Sequence, residues 1–167
     1  MSHREHKAQA PRSVRVYVLT VSDTRTEETD TSGRLCAQLC GAAGHQVTGR
    51  QILRDEPAEV AAAIRQVAAE DRADVLIATG GTGISRRDNT YEAVAGLLDK
   101  RLDGFGELFR ALSFQQIGSA AMLSRAVGGL HGRLVVFALP GAEQAVRLAL
   151  ERLILPELAH LVYEARR

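Results

Sequence analysis

The stretch Thr79-Gly80-Gly81-Thr82-Gly83, with Arg86, Arg87 and Asp88 just beyond it, gathers residue types that handle a phosphorylated ligand. Its glycines let the backbone adopt positive φ and let another molecule approach the main chain closely. Set between a strand and a helix, such a turn offers backbone N–H groups and a helix N-terminus to an anion. Arg86 and Arg87 supply charge for a phosphate, and Asp88 supplies a hard oxygen ligand for a divalent cation. Gly81 is expected to leave open the space a ligand needs, so that a side chain there would block binding while the fold survives. The pattern is neither GxxxxGK[ST] nor GxGxxG, so a standard ATP-binding P-loop and a Rossmann dinucleotide turn are both disfavoured. A tight strand-to-helix turn with no ligand is the alternative reading.

The flanking elements fit that placement. Val75-Leu76-Ile77-Ala78 is a short apolar run of the kind that forms a buried strand. Asn89, with Glu92 three residues later, has the spacing of a capping box and predicts a helix from Thr90 to Leu98. Further strands are predicted over 14–21, 46–53 and 133–139. Helices are predicted over 32–43, from Pro57 onward, over 108–112, from about Ser119 to Ala126 with a stop at Gly128-Gly129, and over 143–154. Pro156 should kink or restart the last of these before 157–165 completes the chain. Strands alternating with helices indicate a single α/β domain of three layers, with a doubly wound, mostly parallel sheet. Ligands in such sheets lie beyond the carboxyl ends of the strands. There the loops Ser22–Ser32, Arg54–Glu56, Gly80–Asp88 and Pro140–Glu143 can line one crevice. The domain is expected over 13–167, behind a polar tail of residues 1–12 expected to be disordered.

Composition narrows the function class. The 167 residues are 46% hydrophobic and 25% charged, ordinary for one globular domain with a sizeable core. A net charge of +1, no Trp, three Tyr and four Phe argue against a nucleic-acid surface. No apolar run reaches membrane-spanning length, and the N-terminus lacks the apolar core of a secretory signal, so a cytoplasmic location is expected. Cys36 and Cys40 share a helix face, where a disulfide fits poorly, and are expected to be buried thiols.

Further motifs run along the chain in order: Thr20-Val21-Ser22-Asp23, Asp30-Thr31-Ser32-Gly33, Arg87-Asp88, Gly104-Phe105-Gly106-Glu107, Phe109-Arg110, Leu112-Ser113, Ile117-Gly118, Ser124-Arg125-Ala126 and Pro140-Gly141. With the glycine turn they resemble the molybdenum-cofactor biosynthesis proteins of the MogA/MoaB type, from about Val14 to Leu161. Tyr91 stands where some adenylyltransferases of this type have proline, which is closer to the MoaB branch. The resemblance implies a trimer or hexamer that binds molybdopterin and adenylylates it with ATP and Mg²⁺, releasing pyrophosphate. It also implies a link to the molybdenum-insertion protein. The motif aspartates tied to catalysis match Asp55 and Asp88, which the resemblance makes the Mg²⁺ ligands. Substrate contacts fall by the same resemblance on Ser22, Asp23, Ser32 and Gly33. They fall also on Thr79, Gly80, Gly81, Thr82, Gly83 and Arg87, and on Glu107, Ser124, Arg125, Pro140 and Gly141.

Each position has a plainer reading. Asp55 would cap the helix that opens at Pro57. Ser22 and Asp23 would close a turn, Glu107 would be a surface carboxylate, and Arg125 would pair structurally with an acid. Many relatives carry serine after Pro140-Gly141, where this chain has Ala142. A non-catalytic molybdopterin-binding scaffold of the same fold is the alternative to an enzyme.

Overall fold

The apolar runs form a single sheet, and it has six strands where the sequence marks four. The computed structural model describes residues 7–167. Residues 1–6, the first half of the expected tail, lie outside the described residues. Farther along that segment, Lys7 Nζ pairs with Glu157 Oε1 at 2.6 Å, and the Tyr163 hydroxyl donates to Gln9 Oε1. The strands are β1 (Arg15–Val21), β2 (Gln46–Leu53), β3 (Val75–Thr79), β4 (Lys100–Arg101), β5 (Val127–His131) and β6 (Leu134–Leu139), in the order β2-β1-β3-β6-β5-β4. β2, β1, β3 and β6 pair in parallel, whereas β5 runs antiparallel to both β6 and β4.

The helices are α1 (Thr31–Ala42), α2 (Pro57–Ala69), α3 (Thr90–Ala95), α4 (Asp103–Ile117), α5 (Glu143–Ala149) and α6 (Leu155–Ala165). They cover both faces of the sheet, which is why β1, β3 and β6 are apolar at nearly every position. Val16, Val18, Val75 and Ile77 pack with Cys36 and Cys40 of α1, Phe109 of α4, Val146 of α5 and Leu158 of α6. Tyr17, Leu19, Leu76 and Ala78 point the other way, onto Val60, Ile64 and Val67 of α2 and Val94 of α3. Both cysteines are buried, free thiols.

The structure differs from the sequence reading mainly between residues 99 and 131. α4 is one helix of 15 residues, and Gly104 and Gly106 lie inside it. Phe105 and Phe109, one turn apart, supply its buried face. Gly106 belongs there because a Cβ would sit 3.0 Å from the Ala126 carbonyl oxygen. The helix expected over 119–126 is a 3₁₀ segment, Gly118–Leu123, and Gly128 and Gly129 sit within β5 instead of ending a helix. A Cβ on Gly128 would lie 2.7 Å from the Phe137 ring, and one on Gly129 would lie 2.2 Å from Lys100 O. These glycines admit neighbours where the sequence suggested they stop an element. His131 ends β5 with Nδ1 2.9 Å from Leu97 O. The expected break near Pro156 is present: a π turn, Leu150–Ile154, precedes α6, and the proline occupies the first turn of α6.

At the end of the sheet away from the glycine turn, Asp74 is only 8% exposed. It accepts the Arg15 backbone N–H at 2.7 Å and Arg15 Nη2 at 2.8 Å, and it pairs with Arg166, just beyond α6. Burial pushes the Asp74 carboxyl up, but the Arg15 hydrogen bonds and the Arg166 and Arg15 charges outweigh it and hold it below the ordinary 3.8. A depressed folded-state value means that its stabilisation is complete above the unfolded value and is lost as pH falls through the folded one. Asp74→Asn should therefore cost about 2 kcal/mol at neutral pH and flatten the loss of stability below about pH 4. Thermal unfolding across the acid range checks this. A variant as stable as the parent, with the same acid limb, would contradict it.

Candidate functional site

The chain leaves β1 for β2 on one side of the sheet and leaves β3 for β4 at the opposite edge, so a crevice opens between the carboxyl ends of β1 and β3. A cleft of ≈ 560 Å³ occupies it, within the range of small-molecule sites. Of the residues singled out from the sequence, it is lined by Ser22 and Asp23 after β1, Ser32 on α1, and Asp55 after β2. Thr79 to Gly83, Arg87 and Asp88 follow β3; Ser124, Pro140 and Gly141 complete the set. Three of the residues expected in the site lie elsewhere: Gly33, Arg125 and Glu107.

The β1 side is built around Asp30, 1% exposed. It caps α1 by accepting the Gly33 N–H at 2.9 Å and accepts the Thr20 hydroxyl at 2.8 Å. Gly33 serves this contact and does not face the ligand space: a Cβ there would lie 2.3 Å from both Asp30 Oδ2 and Thr20 Oγ1. The Ser32 hydroxyl donates to Gly141 O at 2.5 Å, fastening α1 to the turn after β6. Ser22 Oγ accepts the N–H groups of Thr24 (3.2 Å) and Arg25 (3.0 Å), so it does close a turn while lining the cleft. Thr20, Asp30, Arg25 and Ala142 line the cleft too and were not among the expected contacts. Asp30 carried a signal, an N-cap residue just ahead of a helix at a strand's carboxyl end.

Gly80 and Gly81 have φ of +92° and +66°. The N–H groups of Gly81, Thr82 and Gly83 have no acceptor among the described residues. The Thr79 hydroxyl, on a residue 1% exposed, also lacks a partner. Arg125, expected among the substrate contacts, does not line the cleft and instead binds the loop's carbonyls. Its guanidinium donates to Thr82 O at 2.9 Å and Gly83 O at 2.6 Å, pairs with Glu92, and stacks over Tyr91 at 5.0 Å. In a trans peptide the N–H opposes the preceding C=O, so the N–H groups of Gly83 and Ile84 point away from Arg125. Glu92 is thus an ion-pair partner and not half of a capping box: Asn89 makes no side-chain cap, and its amide donates to Arg87 O at 3.1 Å. Glu107 sits exposed on α4 in a separate groove of ≈ 170 Å³ with Arg101 and Arg110, because the flanking glycines are helical and not a loop.

Asp55 is 5% exposed and does not cap α2; the N-cap there is Glu56, without a side-chain bond. Asp55 Oδ1 accepts the Asn89 N–H at 3.1 Å, and its own N–H donates to Asp23 Oδ1 at 3.1 Å. Burial, with the Asp88 and Asp23 charges, raises the Asp55 carboxyl above its ordinary value against the opposing Asn89 bond and Arg87 charge. Arg87 grips Asp23 through Nε (3.0 Å) and Nη2 (3.1 Å) and reaches Glu56 at 2.9 Å, which lowers the Asp23 carboxyl. Asp88 Oδ2 accepts the Ser85 N–H at 3.0 Å. Asp55 and Asp88 each keep one oxygen that no protein group engages among the described residues. No cluster of three or more potential metal ligands forms among those residues. Two carboxylates suit a Mg²⁺ that also takes phosphate and water oxygens.

Gly81 is not the open position expected from sequence. A Cβ there would lie 2.2 Å from Thr90 Oγ1 and 2.3 Å from Asp55 Oδ2. Gly81→Ala should therefore destabilise the fold by more than about 1 kcal/mol as well as displace Asp55. A denaturant midpoint equal to the parent's would show that the turn relaxes without cost.

A family model described as a probable molybdopterin binding domain matches residues 17–160. Molybdenum cofactor biosynthesis protein B of Bacillus cereus is 53% identical over 168 residues, covering 100% of this chain and 99% of that one. A crystal structure of a molybdenum cofactor biosynthesis protein B has a TM-score of 0.91 at 52% identity, covering 95% of this chain and 99% of its own. The tungsten cofactor synthesizing protein MoaB from Pyrococcus furiosus has a TM-score of 0.83 at 39% identity, covering 95% and 100%. With the family's domain matched across most of its length and a relative this similar end to end, the chain belongs to the MoaB/MogA family of molybdenum cofactor biosynthesis proteins.

Proposed function

We propose that this protein binds molybdopterin in the switch-point cleft and adenylylates it with ATP. A terminal phosphate oxygen of molybdopterin attacks the α-phosphorus of ATP. The bond from that phosphorus to the β-bridging oxygen breaks, and pyrophosphate leaves. The nucleophile is already anionic, so the protein's work is to position two phosphate groups and offset their charge. The observation that carries this reading is the pairing of two partly free carboxylates, Asp55 and Asp88, with a loop of unpartnered N–H groups at Gly81, Thr82 and Gly83. The loop amides receive ligand oxygens, while Ser22, Ser32, Ser124, Pro140 and Gly141 wall the rest of the cleft. Asp55 and Asp88 would hold Mg²⁺, which supplies charge neutralisation between the two phosphates when bound.

The protein is further proposed to act in the cytoplasm as a trimer or hexamer and to pass its product to the molybdenum-insertion protein. No helix among the described residues is long and apolar enough to cross a membrane. Leu108, Phe114, Ile117 and Met122 leave apolar side chains exposed along α4 and the 3₁₀ segment, with Phe114 at 62% and Met122 at 78%. Identical subunits closing on one another would cover such a face. Light scattering at micromolar concentration should give a multiple of three chains, and a monomer mass would sink the assembly.

Magnesium-dependent release of pyrophosphate from ATP and molybdopterin tests the activity. Binding of molybdopterin without that release would leave the non-catalytic scaffold. Asp88→Asn should lower turnover about a hundredfold or more while molybdopterin affinity changes much less. Unchanged turnover would make Asp88 structural, and loss of both would move it to substrate contact.

A further inference from the structure

The cleft is lined by four carboxylates, Asp23, Asp30, Asp55 and Asp88, and by two cationic side chains, Arg25 and Arg87. Arg50 Nε lies 3.8 Å from Asp30 Oδ2, and Mg²⁺ would offset Asp55 and Asp88, but a phosphorylated ligand also gains from a cationic side chain that no carboxylate already holds. Arg87 is committed to Asp23 and Glu56 at 2.9–3.1 Å. Arg25 differs: its guanidinium donates to the Thr29 carbonyl oxygen at 2.9 Å, and no carboxylate pairs with it among the described residues. The backbone that carries it is held in place. Ser22 Oγ accepts its N–H at 3.0 Å, Thr29 Oγ1 accepts the Thr26 N–H at 2.9 Å, and the Asp30 N–H donates to Thr26 O at 2.8 Å. The side chain therefore lines the cleft from an anchored turn, in the same cleft as the open amides of the glycine loop.

We infer that Arg25, and not the motif arginine Arg87, is the residue that binds a phosphoryl group of the ligand in this cleft. The assignment rests on the reading that the cleft takes phosphorylated ligands. The guanidinium's parallel N–H groups match two oxygens of one phosphate, and its remaining donors can keep the Thr29 bond. That phosphate belongs either to the polyphosphate of ATP or to the monoester of molybdopterin, and the two ligands can be titrated separately.

Calorimetric titrations with ATP and Mg²⁺, and with molybdopterin, test this on the parent, Arg25→Gln, Arg25→Lys and Arg86→Gln. Arg86 lies on the same loop as Arg87 but does not line the cleft, so its variant controls for loss of general charge. Arg25→Gln should weaken at least one of the two ligands by about tenfold or more, and the arm that moves identifies the phosphate. Arg25→Lys, which keeps the charge and loses the fork, should fall between. Thermal midpoints of the variants should match the parent's, since Arg25 is exposed and bonds only its own loop. If the parent binds both ligands and Arg25→Gln binds them equally well, the assignment of Arg25 falls while the proposed function stands. An equal loss in Arg86→Gln overturns it as well, by showing a long-range charge effect. If the parent binds neither ligand, the assignment and the proposed function fail together.

Discussion

Three strand ends meet at one point with almost no side-chain matter between them, and the site depends on that closeness. A Cβ on Gly80 would lie 2.3 Å from the carbonyl oxygen of Val21, at the end of β1. A Cβ on Gly141, after β6, would lie 3.2 Å from Gly80 Cα, and one on Gly81 would reach into Asp55, after β2. Only glycine tolerates both the positive φ and the contact at positions 80 and 81. The turn therefore works as a hub for the surrounding loops. It sets how far apart the loops from β1, β2, β3 and β6 stand, and so which functional groups share the cleft.

Charge is then distributed around the hub. Arg87 ties the loops after β1, β2 and β3 together through Asp23 and Glu56, and this leaves Asp55 as a buried carboxylate among its own kind. Asp30 has its own partners, the Thr20 hydroxyl, the amide of Gly33 and the Arg50 guanidinium at 3.8 Å. One arginine spans the mouth of the cleft and another, Arg125, backs its floor. Both act on loop geometry through hydrogen bonds that their planar, multi-donor guanidinium groups can make at once.

The parallel half of the fold was legible because it follows a two-sided burial rule: Val75–Thr79 and Leu134–Leu139 are apolar on both faces, and helices must cover them. The stretch from 99 to 131 was not, because its glycines mislead. Gly104 and Gly106 weaken helix propensity, yet Phe105 and Phe109 bury enough to hold the helix. Gly128 and Gly129 look like a stop signal, and they are instead the strand positions that Phe137 and Lys100 approach. In the site, the motif residues converge largely as their order along the chain suggested. What sequence could not show was direction. Arg125 faces the back of the loop, Glu107 faces another groove, and Arg87 faces carboxylates. Side-chain direction depends on partners far along the chain, such as Glu92 for Arg125, and no local pattern encodes it.

Arg125 also bears on the entropy of association. A glycine-rich loop left to itself samples many backbone states, and a ligand that needs one of them must freeze the rest. Here the carbonyls of Thr82 and Gly83 are pinned before any ligand arrives. The ordering occurs on folding, and the surrounding core, including Ala121 and Ala126 on either side of the 123–125 segment, sustains it. A residue that does not line the cleft thus fixes the shape of the loop that does, and a fixed loop would spare a ligand the cost of ordering it.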